Sequence, residues 1–157
     1  MKYDFNKDWL SKKFDEISTR LIKALQQLND EQVNWRPDNT SNSISTLIKH
    51  VEGNIHERIL KGILHQDVHR NRDEELKPTY ITRSELEQII QAKFELIIAT
   101  VKNITDEELE QTQWVRSRER TNLDMLHQCA AHYSEHTGQI IYIAKQILQE
   151  SYKSTSI

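Results

Sequence analysis

The run Leu126-His127-Gln128-Cys129-Ala130-Ala131-His132-Tyr133-Ser134-Glu135-His136-Thr137-Gly138-Gln139-Ile140 decides the fold. Met125, Cys129, Tyr133, Ile140, Ile143, Ala144 and Ile147 recur at the spacing that gathers apolar side chains on one face of an α-helix. The predicted helix reaches from about Thr121 to Gln149 with Gly138 inside it. The other two glycines, Gly53 and Gly62, also sit within helical patterns, so the residues that usually punctuate strands and turns do not do so here.

Three further helices are predicted upstream. The first runs from about Asp4 to Leu28 on Phe5, Trp9, Leu10, Phe14, Ile17, Leu21, Ile22, Leu25 and Leu28, with Trp9, Trp35 and Trp114 expected as core or loop anchors. Pro37 breaks the chain, and Thr40-Ser41-Asn42-Ser43 offers caps for a second helix from about Ser43 to Leu64. Its stripe is Ile44, Leu47, Ile48, Val51, Ile55, Ile59 and Ile63. The third helix starts at Thr82-Arg83-Ser84-Glu85, a capping box, and carries Leu86, Ile89, Ile90, Phe94, Ile97, Ile98 and Val101. Long polar connections, Gln66 to Thr82 and Asn103 to Arg120, allow a topology other than a simple up-down-up-down bundle. The expectation is one all-α four-helix bundle over residues 1–150, with 151–157 a frayed tail.

A weak repeat runs through this plan. Leu28-Asn29-Asp30-Glu31-Gln32-Val33 after the first helix resembles Ile104-Thr105-Asp106-Glu107-Glu108-Leu109 after the third. If the chain is two related helical hairpins, the second helix corresponds to the fourth, and His50 and Asn54 align with His132 and His136.

Composition narrows the function. A chain of 157 residues buries roughly 70% of its unfolded surface, enough to fold unaided. Lys and Arg number 21 against 24 Asp and Glu, a net charge of −3 with the signs interspersed, so no basic field grips nucleic acid. No apolar run is long enough to span a membrane and no secretory leader is evident, which places the expected location in the cytoplasm. The lone Cys129 excludes an internal disulfide and every multi-cysteine zinc motif. Any metal must be held by His or carboxylates.

His132 and His136 lie one helical turn apart, where two imidazoles can converge on one ion. Tyr133 stands where a zinc peptidase carries its glutamate. His50 lies mid-helix with Asn54 and Arg58 in line beyond it, and a site from His50, His132 and His136 forms if the second and fourth helices pack together. His127, His56, His65 and His69 are expected at solvated positions. Cys129 is about 10.5 Å along the helix from His136 and is expected to be a small buried hydrophobe. Asn54, Arg58, Glu135 and Gln139 are candidates to orient the ligands, and Arg70 and Arg72 could bind a substrate carboxylate.

Ser41-Asn42-Ser43-Ile44, Leu47-Ile48-Lys49-His50-Val51-Glu52-Gly53-Asn54-Ile55, Arg70-Asn71-Arg72-Asp73 and His132-Tyr133-Ser134-Glu135-His136-Thr137-Gly138-Gln139-Ile140 together resemble the DinB superfamily, which includes YfiT-like metalloenzymes and bacillithiol transferases. The resemblance spans nearly the whole chain. It implies an up-down-down-up bundle with His50, His132 and His136 as ligands of one divalent ion, zinc or nickel first among the choices. The expected activity is transfer of a low-molecular-weight thiol to an electrophile. Asn54, Arg58 and Arg72 are the candidate substrate contacts. Hydrolysis by metal-activated water and a non-catalytic bundle are the alternatives. The expected partners are small molecules, with neither nucleic acid nor membrane, and a homodimer is the candidate assembly.

Overall fold

The computed structural model describes Met1–Ile157. Four long helices form it: α1 (Asp4–Leu25), α3 (Ile44–Ile55, prolonged by a π-helical turn His56–Lys61), α5 (Arg83–Asn103) and α7 (Asn122–Leu148). Short helices α2 (Asp30–Val33), α4 (Arg72–Glu75) and α6 (Asp106–Glu110) lie in the connections, and a hairpin of β1 (Thr112–Val115) and β2 (Arg118–Thr121) leads into α7. The connections expected to be irregular are therefore partly structured. Each short helix opens on a side-chain cap, Asn29, Asn71 or Thr105, which accepts from an otherwise unpaired backbone N–H.

Cross-helix bonds give the directions. Lys7 at the start of α1 donates to the Ile104 carbonyl just past α5, so these two run antiparallel. Asn6 meets His127 near the start of α7, while Gln27 beyond the end of α1 bonds Lys153 beyond the end of α7, so α1 and α7 are parallel. Tyr133 of α7 donates to Asn54 of α3, and Gln113, just before α7, reaches the carbonyl of Arg58 near the end of the α3 segment; this pair is antiparallel. The topology is up-down-down-up, with α1 and α3 on opposite corners, each packed between α5 and α7.

The predicted stripes form the core. Leu10, Phe14, Ile17, Leu21, Leu25 and Leu28 from the first segment meet Ile44, Ile48, Val51, Ile55 and Ile59, Leu86, Ile90, Phe94, Ile97 and Val101, and Met125, Tyr133, Ile140 and Ala144. Phe14, Phe94 and Tyr133 pack edge-on and tilted at its centre, with ring centroids 6.0 to 6.3 Å apart. Four aromatic residues depart from expectation. Phe5 is 81% exposed and Trp9, Trp35 and Trp114 are 42%, 41% and 69% exposed. The first helix turns its opening residues away from the core, and Trp114 stands on the hairpin.

The end of the chain also differs from its reading as a frayed tail. Lys153 exchanges two bonds with the Gln27 side chain, Arg20 donates to Thr155, and Thr155 is buried. A segment without helix is thus tied to α1 by side-chain bonds. The two similar segments share local features. Asn29 with Gln32 and Thr105 with Glu108 both build capping boxes, and Leu28, Val33, Ile104 and Leu109 are all buried.

Candidate metal centre

His50 on α3 and His132 and His136 on α7 converge where these two helices pack together. Nε2 of His132 lies 3.3 Å from Nε2 of His50 and 2.9 Å from Nε2 of His136, and the three donor atoms fall within 4.8 Å of one another. At a metal–nitrogen length of about 2.0–2.1 Å, tetrahedral ligands sit roughly 3.3 Å apart and octahedral neighbours roughly 2.9 Å. The spacing suits a single ion. All three rings belong to long helices, so no mobile loop has to assemble them.

The outer nitrogens orient the rings. Nδ1 of His136 is 2.7 Å from Oε1 of Gln139, one turn along. Nδ1 of His50 is buried, 3.3 Å from Oε2 of Glu75, in an arrangement too poorly aligned to count as a full hydrogen bond. Glu75 in turn accepts from Arg70 at 2.7 and 3.0 Å, and both side chains are about nine-tenths buried. A carboxylate and an amide oxygen only accept, so the network assigns the protons of His50 and His136 to Nδ1 and leaves each Nε2 lone pair facing inward. His132 can place at most one proton between them. Three inward nitrogens with one proton to share is an arrangement that a cation satisfies, so the residues present fit a divalent metal ion.

Protonation is opposed as well. Burial first, then the neighbouring imidazoles, lowers the pKa of His132 to about 4. The pKa of His50 is lowered by burial first, then by His136 and Arg70. Neutral imidazole is the form that binds metal.

The approach of Glu75 has a visible cause in α3. A Cβ on Gly53 would overlap Oε1 and Cδ of Glu75 and sit 2.9 Å from Oε2. Glycine here makes room for the carboxylate that faces His50. Glu75 was not among the candidates read from sequence, because Arg70-Asn71-Arg72-Asp73-Glu74-Glu75 has the composition of a solvated loop. The usable signal was a glycine in a buried helical stripe three residues from a histidine.

A cavity of about 570 Å³ opens beside the cluster, with His50 and His132 in its wall. Asn54, Arg58, Arg72 and Glu135 line it, as do Arg70, Arg116, Arg118 and Arg120. Of the four residues expected to orient the imidazoles, only Gln139 touches one. Asn54 accepts from Tyr133, whereas Arg58 and Glu135 face the cavity. Cys129 is buried at the cavity's inner wall, and burial pushes its thiol up to about 11, as suits a small apolar residue. His127 stays apart from the cluster. It stacks on Trp9 and bonds Asn6, so it is half-buried rather than solvated. His56 is likewise half-buried, with no partner for Nε2, while His65 and His69 lie exposed.

The comparisons agree with this architecture. A family model described as Protein of unknown function (DUF1572) matches residues 4–157. A conserved protein from Enterococcus faecalis superposes with a TM-score of 0.74 at 17% identity, over 90% of this chain and 96% of its own. A DinB-like protein of Bacillus subtilis, YjoA, superposes with a TM-score of 0.71 at 16% identity, over 94% of this chain and 97% of its own. No curated protein matches the chain. The chain shares its fold with this DinB-like protein, and no helix is long and apolar enough to cross a membrane.

Proposed function

The chain belongs to the DUF1572 family, and from the geometry of its histidine cluster we propose that it is a divalent-metal-dependent transferase acting on a small thiol and an electrophile. The observation that carries the reading is the convergence of three Nε2 atoms at the wall of a cavity large enough for a small molecule. His50, His132 and His136 would hold the ion, zinc or nickel, and three protein ligands leave a coordination position open. When bound, such an ion supplies Lewis acidity that favours the anionic form of a thiol or water.

The chain's own groups do the rest. Gln139 and Glu75 hold the imidazoles of His136 and His50 in the ligating orientation. Tyr133 pins the Asn54 carbonyl oxygen at 2.8 Å, which leaves the Asn54 amide N–H group as a donor beside the site. Glu135 is the one carboxylate that lines the cavity. A free thiol, with a pKa of about 8.5, starts far closer to its anion than free water does, so a lining with one carboxylate suits a thiol substrate.

The test begins with metal analysis of protein purified without a histidine tag, where about one divalent ion per chain is expected. His136→Ala should lose the ion and His127→Ala should keep it. Consumption of cysteine or bacillithiol with a chromogenic electrophile should follow metal content across these variants. Cobalt-loaded protein should gain a sulfur-to-metal band when thiol is added. A cobalt spectrum that ignores thiols but shifts with pH, together with ester hydrolysis, would favour the hydrolase instead. Failure to retain or regain any divalent ion would end both readings.

A further inference from the structure

Six arginines line the cavity that holds the histidine cluster, against one carboxylate, Glu135, in a chain whose net charge is −3. Charge of one sign is gathered here rather than spread over the surface. Arg70 and Arg120 are neutralised by Glu75 and Asp124. Arg58, Arg72, Arg116 and Arg118 have neither an ion-pair partner nor a side-chain hydrogen bond to an acceptor within the chain.

The hairpin explains how the sequence sorts these charges. In Arg116-Ser117-Arg118-Glu119-Arg120 the strand period of two puts Arg118 and Arg120 on one face and Glu119 on the other. Glu119 accepts from Thr112 and does not line the cavity, while Arg118 and Arg120 do. Arg116 occupies the turn with φ 57°, a left-handed conformation uncommon for a residue with a Cβ. Gln113 anchors the strand to Asn122 and the Arg58 carbonyl, which holds the hairpin over the cavity. Arg58, at the inner end, is half-buried, and burial first, then nearby Arg70, opposes its charge.

We propose that this cavity binds a small molecule bearing two or more negative charges, carboxylates or a phosphate, gripped by Arg58, Arg72, Arg116 and Arg118 with its other end toward His50 and His132. Planar guanidinium groups match carboxylate and phosphate oxygens in pairs; Arg72, Arg116 and Arg118 are exposed, and half-buried Arg58, a cation without a partner, gains most from a ligand that supplies one. The inference deepens the transferase reading by naming the chemical class of one substrate. The grip itself does not require the metal.

Calorimetric titration tests it with four probes: succinate, glycerol 2-phosphate, acetate and uncharged dimethyl succinate. Zinc-loaded protein should bind at least one of the two dianions ten or more times tighter than acetate, and dimethyl succinate not at all. Which dianion is favoured separates carboxylate from phosphate recognition. The double variant Arg116→Asn with Arg118→Thr suits the left-handed turn and the strand, and should lose tenfold or more in dianion affinity at unchanged circular dichroism and metal content. His132→Ala, stripped of metal, should still bind the dianion. If dianion binding survives while the unaltered protein fails to retain or regain any divalent ion, the anion site stands and the transferase reading falls. Equal affinity for acetate and both dianions would overturn the proposal. So would wild-type affinity in the arginine variant.

Discussion

Gly53→Ala separates the stability of the helix from the quality of the metal site. In an isolated helix interior this substitution is favourable by about 1 kcal/mol, since alanine restricts the unfolded chain and is the better helix former. Here the added Cβ must overlap the Glu75 carboxylate. The helix axis is held by buried Val51, Asn54 and Ile55, so Glu75 has to move, together with Arg70, which grips it with two bonds. Loss of the group facing a metal-bound imidazole typically weakens metal binding 10- to 100-fold, about 1.4 to 2.7 kcal/mol. The expected outcome is a zinc affinity reduced by that factor, measured by competition with a chelator, in a protein that resists urea as well as the parent within about 1 kcal/mol. Glu75→Ala should give a similar loss, and adding Gly53→Ala to it should cost little more, because both act through one contact. Wild-type zinc affinity in Gly53→Ala, or additive losses in the double variant, would refute the role assigned to Glu75.

Two further outcomes follow from the geometry. Metal-free protein should lose stability as pH falls from about 6.5 towards 4: the folded pKa of His132 is about 4 and that of His50 is lowered, so the unfolded chain takes up protons that the folded chain refuses. Urea midpoints at pH 7.5, 6 and 5 check the sign, and His132→Asn should flatten the slope. Gly138→Ala meets nothing within 4 Å on an exposed face of α7 and should raise stability by about 0.5–1 kcal/mol in thermal or urea unfolding.

The helical periodicities placed the four long elements and nearly all of the core, because each apolar stripe recurs over five or six turns and has one consistent way to be buried. The pair His132 and His136 was legible for the same reason. His50 could be joined to them only by supposing that α3 and α7 pack together, a tertiary fact that periodicity does not contain. The hairpin escaped notice because two strands of four residues, one of them reading Arg118-Glu119-Arg120-Thr121, carry no apolar alternation. With it went half the arginines of the cavity. Glu75 stayed hidden since its burial depends on Arg70 and on the space at Gly53, neither of which is a local pattern. Phe5, Trp9 and Trp114 show the reverse error, where apolar character alone suggested burial.

The histidine cluster draws one ring from α3 and two from α7, with His50 and His132 82 positions apart in the sequence. Neither helix can hold an ion in this geometry by itself, so during folding the donor set exists only after α3 has docked on α7. An ion that recognises this set cannot speed any step that precedes that docking. Where that docking follows the folding transition state, the stabilisation appears mainly as slower unfolding, which stopped-flow unfolding with and without zinc measures. Metal would then act as a latch between α3 and α7, lengthening the lifetime of the native state while leaving the rate of reaching it nearly unchanged.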